Sequence, residues 1–267
     1  MFKERLISGI IVLAIAIAAM LLGGWVLFSF VEIITFIGLF EMYRAIGIEK
    51  ELPALAGFAA TAVYALLLSA NVNDGAVMGI AIAVLAIMAV YVFTFPKYNA
   101  AEIFGAIGGF VYVTVLMSFI YKVRIMPSGL YIIPMVFICA WGNDTCAYCV
   151  GVLFGKHKMS PKLSPKKSIE GFFGGLLGAA ILGAIYGLIF GKGLVNLPKP
   201  ALNCALIGLG GAFTAVIGDL AASAIKRDQE IKDYSKLIPG HGGILDRFDS
   251  ILFTAPIVYI LTVLLGH

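Results

Sequence analysis

The sequence predicts an all-α, polytopic integral membrane protein with about nine transmembrane helices and a cytoplasmic N-terminus. Three observations predict it. Hydrophobic residues make up 61% of the 267 positions and mean hydropathy is +1.02, whereas soluble domains are roughly 45–50% apolar. The apolar residues fall in repeated runs of roughly 18 or more, long enough to cross a ~30 Å hydrocarbon layer as helices. Barrel strands would instead be ~10 residues long and alternating. The third observation is charge sidedness. With the N-terminus inside, fifteen of the nineteen Lys and Arg fall in inner segments, and only Lys122, Arg124, Lys192 and Lys199 fall outside. Positive residues accumulate on the cytoplasmic side of a membrane, which fixes the orientation.

The expected spans are residues 6–22, 25–46, 52–70, 75–95, 101–121, 129–154, 171–190, 201–225 and 248–265. Turn and breaker residues separate them: Gly23-Gly24, Pro53, Asn71-Val72-Asn73-Asp74, Pro96, Pro127-Ser128-Gly129, Pro198 and Pro200. The first run has the basic flank of a signal peptide in Lys3 and Arg5. It lacks a small-residue cleavage site before a polar chain, and another apolar run follows at once, so it reads as a retained span. Cys139, Cys146, Cys149 and Cys204 all lie in apolar runs and read as small packing residues. The net charge of +4 reflects sidedness, and no basic-aromatic surface suggests nucleic acid.

An ionisable side chain inside a span costs at least a few kcal/mol and needs a partner or a purpose. Glu32, Asp144 and Asp219 are the clear cases. Glu32 lies mid-span in "LFSFVEIITF" and reads as a packing residue or a functional one. Asp144 follows Gly142 and Asn143, which loosen the helix and add polar groups. Asp219 stands about two turns before Lys226 at 1.5 Å per residue. A structural salt bridge is the plain reading of either aspartate. Their shared approach to the cytoplasmic side favours function.

Ten of the thirty-four charged residues crowd into 226–249, "KRDQEIKDYSKLIPGHGGILDRFD". Asp246 and Asp249 stand three apart at the start of the last span and can reach a common cation. With Asp144 and Asp219 they form a set of hard oxygen donors suited to magnesium, which usually takes one or two carboxylates plus substrate phosphates. The glycines of "PGHGGI" let backbone N–H groups close on an anion. Lys226, Arg227, Lys232 and Lys236 supply positive charge nearby. In the other cytoplasmic loop, "KMSPKLSPKKSIEG", Ser168 can cap the next helix beside Lys166 and Lys167. Two cytoplasmic loops could thus build a cation-assisted phosphate site at the bilayer surface.

These residues also carry a resemblance. Residues 223–249 resemble the signature of the phosphatidate cytidylyltransferases, in Ser223, Lys226-Arg227, Lys232-Asp233, Pro239-Gly240-His241-Gly242-Gly243 and Asp246-Arg247-Phe248-Asp249. "SPKKSIEG" (164–171) and "NDTCAY" (143–148) are similar to two further blocks of that family, with Ser168 in place of its usual Thr. The resemblance implies transfer of the cytidylyl group from CTP to phosphatidate, giving CDP-diacylglycerol and pyrophosphate, with one or two Mg2+ ions. It implies Asp219, Asp246 and Asp249 as metal ligands, with Asp144 a fourth ligand or an outer-shell group. Asp219, Lys226, Arg227, Asp246, Asp249 and His241 are the expected catalytic residues, although His241 in its glycine turn could equally serve local packing. Asn143, Ser164, Lys166, Lys167, Ser223, Lys232, Gly242 and Gly243 are expected to bind substrate. Residues 1–122 are expected to support and oligomerise. Residues 123–267 are expected to carry catalysis, with cytoplasmic loops 155–170 and 226–247. A homodimer in a bacterial inner membrane, its active site facing the cytoplasm, completes the expectation.

Two rivals fit less well. The CDP-alcohol phosphotransferases also space aspartates by two but want Asp-Gly after the first pair and Ala-Arg beyond, which "DRFDSILFTAP" lacks. A transporter using Glu32, Asp144 and Asp219 would spread polar features over both halves of a repeat; here they crowd into the second half.

Overall fold

A computed structural model describes residues 14–238, 240 and 242–266. Eight helices among them are long and apolar enough to cross a membrane. They are α1 (Gly24–Ala45), α2 (Leu52–Ser69), α3 (Gly75–Thr94), α4 (Ala100–Ile125), α5 (Gly129–Phe154), α6 (Ile169–Gly193), α7 (Pro200–Asp228) and α8 (Leu245–Leu265). Of the expected first span, residues 14–22 are helical, and its basic flank lies outside the described residues.

The breakers act as the sequence suggests. Gly23 and Gly24 take φ of +64° and +50°, a left-handed corner that glycine adopts without steric cost and that separates residues 14–22 from α1. Pro53 sits in the first turn of α2, where its missing N–H costs no helical bond. Asn99 opens α4 with a capping box, accepting from Glu102 N while Glu102 accepts from Asn99 N at 2.7 Å.

Several helix ends differ from expectation by a few residues, among them those of α4, α7 and α8. α4 continues to Ile125, so Lys122 and Arg124 ride its last turn rather than a loop. There Arg124 Nε donates to the Met20 carbonyl at 2.9 Å, satisfying an orphan acceptor near the end of helix 14–22. α7 runs on to Asp228, carrying Lys226 and Arg227 in its last turn, where positive charge complements the helix dipole. α8 begins at Leu245 rather than 248, bringing Asp246 into its first turn.

The chain forms two compact units. One contains Gly24–Ser118 and Gln229–Arg247; the other contains Met20–Gly23, Phe119–Asp228 and the chain from Phe248 onward. In the first, two buried tyrosines organise the helices. Tyr43 donates to the Ala106 carbonyl at 2.9 Å. A Cβ at Gly57 or Gly109 would stand 2.8 Å or 2.7 Å from its ring. Tyr64 meets Phe110 edge-on at 6.0 Å and bonds Ser118 Oγ at 3.0 Å. Thr61 and Thr114 bond each other at 2.8 Å, so hydroxyls in apolar helices satisfy one another across the packing. Glu32 is half-buried, and its Oε2 has no hydrogen-bond partner among the described residues.

In the second unit, α6 carries a buried stripe every fourth residue: Gly171, Gly175, Ala179, Gly183 and Gly187. At Gly183 and Gly187 an added Cβ would meet the α7 backbone, 2.9 Å from Cys204 C and 2.6 Å from Pro200 C. At Gly171 it would stand 2.8 Å from the Ala147 carbonyl of α5. Small residues let membrane helices approach until their backbones touch, where packing replaces the hydrophobic effect.

Candidate functional site

The loop after α5 is not featureless. Residues Lys158–Ser160 (β1) and Ser164–Ser168 (β2) pair as a short antiparallel hairpin, with Lys158 opposite Ser168 and Ser160 opposite Ser164. Glu170 closes its base, accepting from the backbone N–H groups of Lys156 and His157 at 3.1 and 3.2 Å. It also bonds His157 Nδ1 at 2.6 Å. Ser168 caps α6 as expected, its Oγ accepting from Gly171 N at 3.1 Å. It fits because Gly151, Gly155 and Gly171 surround it; a Cβ at Gly155 would stand 2.8 Å from that oxygen.

The hairpin aims its lysines. Successive strand residues face opposite ways, and here Lys166 is exposed while Lys167 is half-buried. Lys167 Nζ lies 2.5 Å from Asp219 Oδ2 of α7. Asp144 is within electrostatic reach of both Lys167 and Asp219, and Asn143, fully buried, donates Nδ2–H to Asp144 Oδ1 at 3.3 Å. Asn143 and Asp144 follow a π-helical turn, Ile138–Gly142, and Pro134 interrupts the helix before it. Such turns widen a helix and often occur at functional positions. Lys167 of the hairpin thus meets Asp219 of α7, with the Asn143–Asp144 pair of α5 in electrostatic reach. Asp219, Ser223 and Lys226 share one face of α7 at i, i+4 and i+7. Ser223 and Lys226 are half-buried and Arg227 is exposed; Ser164 opens β2 half-buried. Asp249 is half-buried in the first turns of α8, its Oδ1 accepting from Ser250 N at 2.7 Å.

The remaining predicted residues that the structure describes belong to the other unit. Gly242 takes φ of +85°, and a Cβ there would stand 2.8 Å from Asp246 Oδ2. Asp246 is 8% exposed. Its Oδ2 accepts from Tyr234 N and Gly243 N, both at 2.9 Å. Ile238 N donates to the Gly242 carbonyl at 2.9 Å. The sequence suggested that glycine-turn amides close on a phosphate; in the structure the Gly243 amide closes on Asp246. Lys232 is exposed in the same segment, and His241 lies outside the described residues.

Sequence reasoning missed Glu41. It is 2% exposed near the end of α1. Its Oε1 accepts from Ser235 Oγ at 2.5 Å and Ile244 N at 3.0 Å, and its Oε2 from Leu245 N at 2.8 Å. A Cβ at Gly243 would stand 2.6 Å from Glu41 Cδ, so the second glycine of the pair admits this carboxylate.

Among the described residues, no three of His, Cys, Asp and Glu stand together as a self-sufficient metal cage. The donors present are hard carboxylate oxygens, with Asp144 and Asp219 in electrostatic reach of each other. That suits magnesium, which takes one or two protein carboxylates and completes its shell with phosphate and water.

The chain matches the cytidylyltransferase family over residues 3–265. It is 33% identical to a phosphatidate cytidylyltransferase of Synechocystis sp., over 98% of this chain and 97% of that one. It is 33% identical to one of Pseudomonas aeruginosa, over 96% and 95%, and 31% identical to one of Bacillus subtilis, over 98% of each.

Proposed function

Because the chain belongs to the cytidylyltransferase family and is thereby a nucleotidyltransferase, we propose that it transfers the cytidylyl group of CTP to phosphatidate. A phosphate oxygen of phosphatidate attacks the α-phosphorus of CTP in line. The bond from that phosphorus to its bridging oxygen breaks, and pyrophosphate leaves as CDP-diacylglycerol forms. No covalent protein intermediate is needed, so positioning and charge neutralisation account for the catalysis.

One observation carries the reading. The two motif segments, 164–171 and 223–249, are separate in sequence, yet Lys167 of the hairpin meets Asp219, one turn before Ser223 on α7. A lysine held by a carboxylate is oriented before any phosphate arrives. Lys167, Lys226 and Arg227 would neutralise triphosphate and lipid phosphate, while the acyl chains of the lipid stay in the bilayer. Asp144, Asp219, Asp246 and Asp249 would hold magnesium, which when bound neutralises charge on the attacking and leaving oxygens. The same reading includes a homodimer in a bacterial inner membrane with the active site facing the cytoplasm.

The test is pyrophosphate release by the purified protein in mixed micelles, omitting CTP, phosphatidate or magnesium in turn, with Asp219→Asn beside it. Release that requires all three components and falls at least about 100-fold in the variant is expected. No release from folded wild-type protein across several lipids and nucleotides would overturn the reading.

A further inference from the structure

We propose that Glu41, outside every motif of the family resemblance, is a positioning residue that fixes the 229–244 segment and the first turn of α8 for catalysis. The role in catalysis rests on the cytidylyl-transfer reading; the anchoring does not. A helix start leaves N–H groups without intrahelical acceptors. At the start of α8, Ile244 and Leu245 give theirs to Glu41 at 3.0 and 2.8 Å. The cap therefore comes from α1, more than two hundred residues away, rather than from a neighbouring side chain.

The same carboxylate takes the Ser235 hydroxyl, and Ser235 Oγ in turn accepts from Leu237 N at 3.2 Å. Asp246 draws in the amides of Tyr234 and Gly243. Two buried carboxylates thus hold four backbone amides, those of residues 234, 243, 244 and 245. Removing Glu41 would leave two buried donors unsatisfied and release Asp246, a predicted metal ligand, from a fixed helix start. A displacement of about 1 Å at a reacting group can cost about 100-fold in rate. A carboxylate that only packed α1 would have no reason to sit on the segment carrying the family signature.

The experiment uses the full chain in micelles, with Glu41→Gln, Ser235→Ala and the double variant. The amide of Gln is isosteric but sets an NH2 donor where one carboxylate oxygen stood, so amide exchange at one or both of Ile244 and Leu245 should accelerate about ten-fold or more. Exchange in α3 should stay unchanged. In pyrophosphate release, kcat should fall about 10- to 100-fold while KM for CTP moves less than about three-fold. Ser235→Ala, which leaves both amides capped, should lower kcat by a few-fold and add nothing in the Glu41→Gln background. Unchanged exchange at residues 244 and 245 in Glu41→Gln, or additive effects of the two substitutions, would overturn the proposal. So would faster exchange with kcat intact. If wild-type protein releases no pyrophosphate, the cytidylyl-transfer reading fails and the exchange result alone decides whether Glu41 anchors the segment. Should Glu41→Gln not fold, kcat of Ser235→Ala decides it, and an unchanged kcat overturns the proposal.

Discussion

Two adjacent lysines show how backbone conformation sorts equal charges into unequal roles. Lys166 and Lys167 follow each other on β2, and only Lys167 reaches Asp219. Lys167→Met should therefore lower kcat/KM for CTP about 100- to 1,000-fold, the usual cost of losing a preorganised charge donor. Lys166→Met should cost less than about ten-fold; equal losses at both positions, in the pyrophosphate assay, would refute the sorting. Asp219 and Asp144 were legible in the sequence because charge inside an apolar run is conspicuous. Glu41 was not. It stands three positions before Arg44 at the end of an apolar run, where an acid is ordinarily solvated. Its three donors lie 194 to 204 positions further along, a separation that no local pattern encodes.

At the scale of helices and strands, span positions were legible because a ~20-residue apolar run between breakers has few alternatives in a membrane. The ends moved by a few residues where charged side chains found partners along the helix, as Arg124 does with Met20. The β1–β2 hairpin was not legible: its eleven residues, seven of them Lys or Ser and two of them proline, give no alternating apolar signal. Its pairing depends on closure by Glu170 from the next helix. Glycines were visible in the sequence, but which of them face a neighbour was not. Gly108 and Gly109 of α4 make the point. A Cβ at Gly108 meets nothing within 4 Å, while one at Gly109 would stand 2.7 Å from Tyr43 Cε1. Gly108→Ala should leave stability unchanged or raise it by up to about 1 kcal/mol through helix propensity. Gly109→Ala should cost about 1–3 kcal/mol through overpacking. Thermal unfolding in one detergent separates the two, and similar melting temperatures would contradict the packing described.

For the whole molecule, membrane sidedness follows from counting. α6 and α7 lie between the hairpin and the 229–244 segment, and two crossings return the chain to its starting side. Both charged segments are therefore expected to face one compartment, whatever the number of spans before them. Thiols introduced by Lys162→Cys and Lys236→Cys, with exposed Cys149 replaced by Ser, should react with a membrane-impermeant maleimide in inverted vesicles only. Val195→Cys, 81% exposed between α6 and α7, should react in right-side-out vesicles only. Labelling of residues 162 and 236 from opposite sides would break the count. The family over residues 3–265 was legible in its motifs, whereas the grouping of residues 229–247 with the N-terminal helices was not. That grouping has a consequence for biogenesis. Glu41 leaves the ribosome about two hundred residues ahead of its donors, which at ~5–20 residues per second is a delay of about 10–40 s. Throughout that interval the nascent chain carries a carboxylate whose burial has no compensation. Insertion can proceed helix by helix, but the N-terminal unit cannot close until translation is almost complete. A ribosome stalled before residue 244 would therefore leave behind a chain that membrane quality control can distinguish from a finished one.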